Sequence, residues 1–263
     1  MADSIFLYKR TTKRLTPDIF TKLAASLNLK GKAAETDEAL FIGDGTRSLA
    51  FARPCATFAG LLFFADQSVS WGECAEKPVS ETRARSWAGE LLKKFDLAPK
   101  GGDERIRLDF DLEAFQTEAV VFNGKERRLV KAKTDVMSKI ALNGVPVVGP
   151  RGKVRMIFKE TERPVMMHVG LWEGLDVFEE RELVREHDVL RAVREGLARR
   201  DECGKRPYDI RDVRLVYFAD EYRGGPDLLA PEYHVEVEFR DPRRTEKEQI
   251  QGPRQVVRLP AYR

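Results

Sequence analysis

The sequence is poor in the residues that build metal sites, disulfide frameworks and membrane spans. It has only three cysteines and three histidines in 263 residues, and no two cysteines have the spacing of zinc ligands. Cys55, Cys74 and Cys203 are too few for a framework, which leaves free thiols, or one Cys55–Cys74 bridge in an exported protein. The longest apolar run, residues 59–65, is far shorter than the roughly 18 residues of a membrane helix. We therefore expect a soluble protein without membrane insertion.

A strong excess of charge of either sign is also missing. Lys and Arg number 46 against 43 Asp and Glu, a formal net charge of +3, so the sequence predicts no nucleic-acid partner. The N-terminus lacks the charged-then-apolar layout of a signal peptide. This predicts a cytoplasmic protein, or an exported one if a leader has been removed.

The common catalytic and cofactor motifs are absent as well. There is no G-x-S-x-G elbow and no dinucleotide fingerprint between a strand and a helix. Residues 149–153 (GPRGK) lack the GxxxxGK[ST] pattern and precede a predicted strand, so they indicate a turn and not a phosphate loop. The sequence predicts no cofactor and gives hydrolase or nicotinamide chemistry no support.

Three helices are indicated by end signals and by apolar residues at helical spacing. The first begins after Thr16, with Pro17 at its first position, and is expected to end at Gly31. The second begins after Ser80, and the third covers about residues 188–200. The apolar stripe of the second helix predicts a core position for each of its members: Ala84, Trp87, Ala88, Leu91, Leu92 and Phe95.

Much of the remaining chain shows the two-residue period of strands. Turns are predicted at residues 43–45, 123–124 and 143–144. Glycine follows Asn at the last two, and a glycine stands on each side of Asp at the first. These signals predict an α+β fold in which curved antiparallel sheets each pack on a helix, in two similar halves. Residues 99–103 interrupt both periods, so we expect an N-terminal half over 1–100 and a C-terminal half over 104–263.

A resemblance to a family rests on residues 143–154, Asn-Gly-Val-Pro-Val-Val-Gly-Pro-Arg-Gly-Lys-Val. An Asn-Gly-x-Pro turn ends one strand, and a glycine-rich turn leads into the next. With the later strands at 215–219 and 229–237, this layout resembles bacterial PepSY-like and YycI-type accessory domains over about residues 129–239. The resemblance implies a non-catalytic regulatory domain that binds or restrains another protein, usually outside the cytoplasm.

The histidines supply the candidate catalytic residues. His234, Glu236 and Glu238 share one face of a predicted strand, and such a pattern could ligate a metal or pair a base with acids. The alternation expected of a half-buried strand favours a solvent-facing polar strip instead, so no metal site is predicted. His168 shares a strand face with Met166. This position indicates either the wall of a pocket or a buried histidine whose hydrogen bonds are satisfied.

The loop at residues 220–231 is the candidate binding segment. It combines Tyr222, Arg223 and the dipeptide Leu228–Leu229, which we expect to be exposed, and long loops of this kind are often functional. The alternative is a hairpin connection packed by its own leucines.

Two functional hypotheses follow. The first is a non-catalytic binding or regulatory module that contacts a protein or a small apolar molecule through a sheet face or the 220–231 loop. The second is a small-molecule enzyme of the isomerase, cyclase or lyase type, with His168 or His234 as acid–base in a cavity between sheet and helix. The absence of catalytic motifs favours the first. The partner and the oligomeric state, including a homo-oligomer, stay open.

Overall fold

The computed structural model describes residues 4–11, 13–53, 60–69, 75, 77–102, 104–123, 126–149, 153–199, 207–219, 228–240 and 254–263. Within these ranges no helix is long and apolar enough to cross a membrane. The elements, in chain order, are β1 Ser4–Thr11, α1 Pro17–Ser26, β2 Ala34–Glu35, β3 Ala39–Gly43, β4 Arg47–Ala52, β5 Leu61–Asp66, α2 Glu81–Lys94, β6 Leu108–Asn123, β7 Glu126–Leu142, β8 Val145–Val148, β9 Val154–Phe158, β10 Pro164–Gly170, β11 Gly174–Glu182, α3 Glu186–Ala198, β12 Tyr208–Phe218, β13 Leu228–Phe239 and β14 Arg254–Pro260. The predicted α+β class with antiparallel strands is confirmed.

The chain forms two compact units. The larger unit comprises Lys9–Asp176 and Ala219–Leu228, and the smaller unit comprises Met1–Tyr8, Val177–Phe218 and Leu229–Arg263. The structure thus does not divide at residues 100–104, where the sequence predicts a boundary. The physical reason is strand pairing: β10 lies antiparallel to β5, with Met166 opposite Ala65, so strands from both sides of that position share one sheet.

The larger unit is a sheet with both of its helices on one face. Its strand order is β8-β7-β9-β10-β5-β4-β3-β2, and β6 adds to β7. Side chains that alternate toward α1 and α2 form its core, where the Trp87 ring stands edge-on to Phe158 at 5.7 Å. The fully buried sheet residues of this core include Leu40, Leu49, Leu62, Phe64, Val136, Met156, Phe158, Met167 and Val169. Trp87 is only partly buried against it, less than its place in the stripe predicts.

The helix starts confirm the sequence signals, but one helix end differs. The Thr16 and Ser80 hydroxyls accept hydrogen bonds from backbone N–H groups of the first turns of α1 and α2. α1 ends at Ser26 and not at Gly31, because Asn28 takes the left-handed conformation, φ 58°, that commonly ends a helix. Gly31 serves a close approach instead, since an added Cβ would lie 2.8 Å from the Gly43 carbonyl oxygen.

β6 and β7 form a long hairpin that extends past the neighbouring strands. Their pairing runs from Leu108 opposite Leu142 to Asn123 opposite Glu126. β9 pairs with β7 only over Thr134–Met137. A register shift falls between Thr117 and Glu118. Beyond it, residues 118–123 and 126–131, here called the distal ribbon, form a two-stranded sheet.

The smaller unit packs α3 against a sheet with the order β11-β1-β13-β12, with β14 also paired to β13. Val189, Val193 and Leu197 of α3 join a buried cluster with Val235 and Val237 of β13. The Tyr233 hydroxyl donates a hydrogen bond to the Val184 carbonyl, 3.0 Å away, which ties the sheet to the entry of α3. Burial raises the pKa of Tyr233.

Candidate functional site

The face of the larger sheet that points away from α1 and α2, here called the open face, carries one of the predicted histidines. Strand alternation places His168 there because its neighbours Met167 and Val169 are buried in the core. The strand registers align His168 with residues of four other strands. This cross-strand row is Phe41, Ala50, Phe63, His168 and Arg155.

The aromatic end of this row is open to solvent. Phe41 is 48% exposed and Phe63 is 39% exposed, although phenylalanine is a residue that folding normally buries. Ala50 lies between them in the register, and its side chain is much shorter than either ring. Phe115 of β6, also exposed, lies on the same face. The open face therefore presents three exposed aromatic rings.

The other end of the row is charged, with two basic side chains around one buried carboxylate. Arg155 donates from Nε and Nη2 to Asp135 Oδ1, at 3.1 and 2.9 Å. The Thr117 hydroxyl donates to Asp135 Oδ2 at 3.0 Å, and Lys133 Nζ lies 3.5 Å from the same oxygen. The Asp135 side chain is buried, and these partners give it the opposite charge and hydrogen bonds that a buried carboxylate requires. Arg155 is therefore held in position, and together with Lys133 it leaves the cluster one positive charge in excess of the Asp135 carboxylate.

The predicted polar strip of β13 is neither solvent-facing throughout nor arranged for a metal. Glu238 is buried and accepts a hydrogen bond from Arg211, and this bond raises the pKa of Arg211. Glu236 accepts from Arg254 Nη1 at 2.8 Å. Among the described residues, no group of three or more His, Cys, Asp or Glu side chains could hold a metal ion. The strip is a set of cross-strand ion pairs because arginines of neighbouring strands face its carboxylates.

His234 lies in a cluster of the smaller unit that the sequence did not reveal. Its Nε2 is 3.4 Å from Glu232 Oε2, and its ring centroid is 5.4 Å from that of Phe218. Arg258 Nε lies 3.0 Å from the same Glu232 oxygen, and its guanidinium stands 3.8 Å above the Phe218 ring. Glu232 was recognisable by alternation, two residues before His234. The positions of Arg258 and Phe218 beside His234 depend on strand register, which the sequence does not specify.

The two histidines belong to different units, His168 to the larger and His234 to the smaller. Three surface grooves of the larger unit have volumes of about 620, 670 and 750 Å³. Their linings come from α1, α2 and β6–β8 with adjoining segments, and include neither histidine. None of these three grooves is therefore the histidine-lined cavity that the acid–base hypothesis requires.

The 220–231 loop is only partly described. Tyr222 and Arg223 lie outside the described residues. Leu228 and Leu229 begin β13, and Leu229 is 1% exposed. The expectation of an exposed Leu pair is wrong for Leu229 because strand alternation turns its side chain into a buried position. The three cysteines also lie outside the described residues.

Comparisons with known proteins give a fold and no function. No family model matches the sequence, and no curated protein matches it. A crystal structure of an uncharacterized protein from Eubacterium rectale ATCC 33656 is similar, with a TM-score of 0.53 and 11% sequence identity; the match covers 99% of this chain and 85% of that one. The resemblance to PepSY-like and YycI-type domains receives no support from these comparisons and stays a hypothesis. What the neighbour shows is a shared fold alone.

Proposed function

We propose that this protein is a non-catalytic binding module whose contact surface is the open face of the larger unit. The observation that carries the proposal is the exposure of phenylalanine there. Of the five exposed phenylalanines among the described residues, three lie on this one face: Phe41, Phe63 and Phe115. Phe41 and Phe63 also share one cross-strand row, and exposed apolar side chains that lie close together are typical of a binding site.

The chemistry of the row indicates what it binds. Two exposed rings on either side of Ala50 offer apolar surface, and Arg155 and Lys133 around Asp135 make the far end of the row polar and positively charged. A flat apolar or aromatic group, from a protein segment or a small molecule, fits this surface. His168 would then contact the ligand with its imidazole. As part of the same proposal, the sheet of each unit curves over the helix or helices that pack on it.

An enzyme that acts on a small molecule is the second candidate. The observation that favours it is the pairing of His234 with Glu232 at 3.4 Å, since a carboxylate beside an imidazole is a common acid–base arrangement. Arg258 lies near the same carboxylate, so the Glu232 charge is already compensated. The pair alone therefore gives weaker support than the exposed aromatic face.

A fluorescent aromatic sulfonate, 8-anilinonaphthalene-1-sulfonate, tests the proposed surface. The folded protein should bind this probe, and the double change Phe41→Ser with Phe63→Ser should weaken binding at least about tenfold, equivalent to about 1.4 kcal/mol. Both rings are partly exposed, so the double variant should keep a melting temperature close to that of the unchanged protein. A fluorescence titration and a thermal melt measure the two effects.

Phe178→Ser is the matched control. Phe178 is 59% exposed, and it lies on β11 within the smaller unit. This variant should bind the probe as the unchanged protein does. Equal loss in the control and the double variant, or no loss in either, would contradict the open face as the contact surface.

Metal analysis separates the two candidate functions further. Because Glu236 and Glu238 already accept from arginines, we expect the purified protein to contain no stoichiometric zinc, manganese or iron. Elemental analysis by mass spectrometry measures this directly. One equivalent of metal that disappears in His234→Ala would instead favour the enzyme.

A further inference from the structure

The outer edge of β6 is a second candidate contact site, independent of the open face. Among the described residues, β7 is the one strand that pairs with β6. An exposed strand edge presents N–H and C=O groups to any extended chain that approaches it. Folded proteins usually block such edges, so a stretch of edge left unblocked is informative.

The half of β6 near the core is blocked by carboxylates. The Leu112 N–H donates to Asp111 Oδ1 at 2.7 Å, and the Gln116 N–H donates to Glu81 Oε1 at 3.1 Å. Acidic side chains also project from this half at Asp109 and Glu113. Two copies paired here would bring like charges together, which is destabilising.

The distal half of β6, residues 118–123, differs from the half near the core in its charge and in the exposure of its apolar side chains. Its sequence, Glu-Ala-Val-Val-Phe-Asn, has one charge, at Glu118, and is rich in residues that favour strands. Val120 is 45% exposed, Val121 is 40% exposed and Phe122 is 65% exposed. Two-stranded ribbons are marginally stable alone, so a further strand at this edge would stabilise the distal ribbon.

We propose that a second copy of this chain pairs with the distal half of β6 as an antiparallel strand. A two-fold axis at Val121 places Val121 opposite Val121 of the other copy, and Val120 opposite Phe122. Cross-strand pairs of β-branched and aromatic side chains are favourable. Ala119 then lies opposite Asn123, so no charged residues oppose each other within residues 119–123. The same strand is thus complementary to itself, as an isologous dimer requires.

Sedimentation equilibrium at protein concentrations from about 1 to about 100 µM, a range suited to micromolar dissociation constants, tests the proposal. The unchanged chain should form a reversible dimer. Val121→Lys should weaken it at least about tenfold, because two lysines meet at the axis. Val130→Lys, on the same ribbon face but in β7, is the matched control and should dimerise normally. A monomer at all concentrations, or equal loss in both variants, would overturn the proposal.

A mixing experiment separates lost pairing from lost folding. Val121→Lys and Val121→Glu chains should each dimerise at least about tenfold more weakly than the unchanged chain, and an equimolar mixture should form a heterodimer because Lys and Glu then face each other at the axis. Failure of the mixture to dimerise would overturn the antiparallel pairing at Val121. Loss of probe binding at the open face leaves this result unaffected, so the two proposals can fail separately.

Discussion

Replacing Phe158 by alanine is expected to lower the free energy of unfolding by about 3–5 kcal/mol, the usual cost of removing a fully buried phenylalanine ring. Phe158 is 0% exposed and meets the Trp87 ring edge-on. It lies in β9, whose partner strands β7 and β10 flank it on both sides, so the surrounding core has little freedom to collapse into the cavity. Urea denaturation measures the change.

Two variants of the same unit calibrate this result. Phe41→Ala removes the same side chain from an exposed position and should cost less than about 1 kcal/mol. Trp87→Ala should cost less than Phe158→Ala, because Trp87 is only partly buried. An unfolding curve for Phe158→Ala that matches that of Phe41→Ala would show that the helix-covered face is not the core.

Gly149→Ala is expected to cost at least about 3 kcal/mol, from backbone strain and steric overlap together. Gly149 has a φ of 104°, and an added Cβ would lie 2.5 Å from the Ala219 carbonyl oxygen. That oxygen belongs to backbone, and the Ala219 N–H donates to the Val148 carbonyl at 2.8 Å, so the contact cannot relax by a side-chain rotation. Urea denaturation of the variant gives the cost.

Gly144→Ala isolates the strain. Gly144 also has a positive φ, 82°, but no atom lies within 4 Å of the Cβ position. This variant should therefore cost about 1–2 kcal/mol, the value for an alanine held in the left-handed region. If the two glycine variants were equally stable, the close contact at Gly149 would not contribute to the loss of stability.

The elements with complete local signals were predictable from the sequence. Ser80, the acidic first turn and the 3.6-residue period define α2 without reference to the rest of the chain. The turn at Asn143–Gly144 was predictable because both residues tolerate the positive φ that it requires. In these cases the information lies within a few residues of the element itself.

Strands defined by distant partners were missed. β1 has consecutive buried residues, Leu7 and Tyr8, and so lacks a clean two-residue period. β11 ends in charged, mostly exposed residues. Backbone pairing with segments far along the chain creates both strands, and no local pattern encodes it.

The same distinction holds at the sites. Alternation correctly placed His234, Glu236 and Glu238 on one face of β13. The arginines that neutralise the two carboxylates come from β12 and from β14, and their positions depend on register. The row of Phe41, Phe63 and His168 likewise arises from the registers of four antiparallel strands, which a single sequence does not specify.

The division of the chain into units has a consequence for synthesis on the ribosome. The larger unit draws nearly all of its residues from one continuous segment, Lys9–Asp176, whereas the smaller unit needs residues from both ends of the chain. Val235 of β13 pairs with Val257 of β14, so the second sheet is complete only after that strand has been translated. At the usual rate of about 5–20 residues per second, translation from Asp176 to Val257 takes roughly ten seconds. β1 pairs with β11 and β13, so the nascent strand waits for its first partner until Gly174–Glu182 has been translated, which makes β1 the segment best placed to require a chaperone.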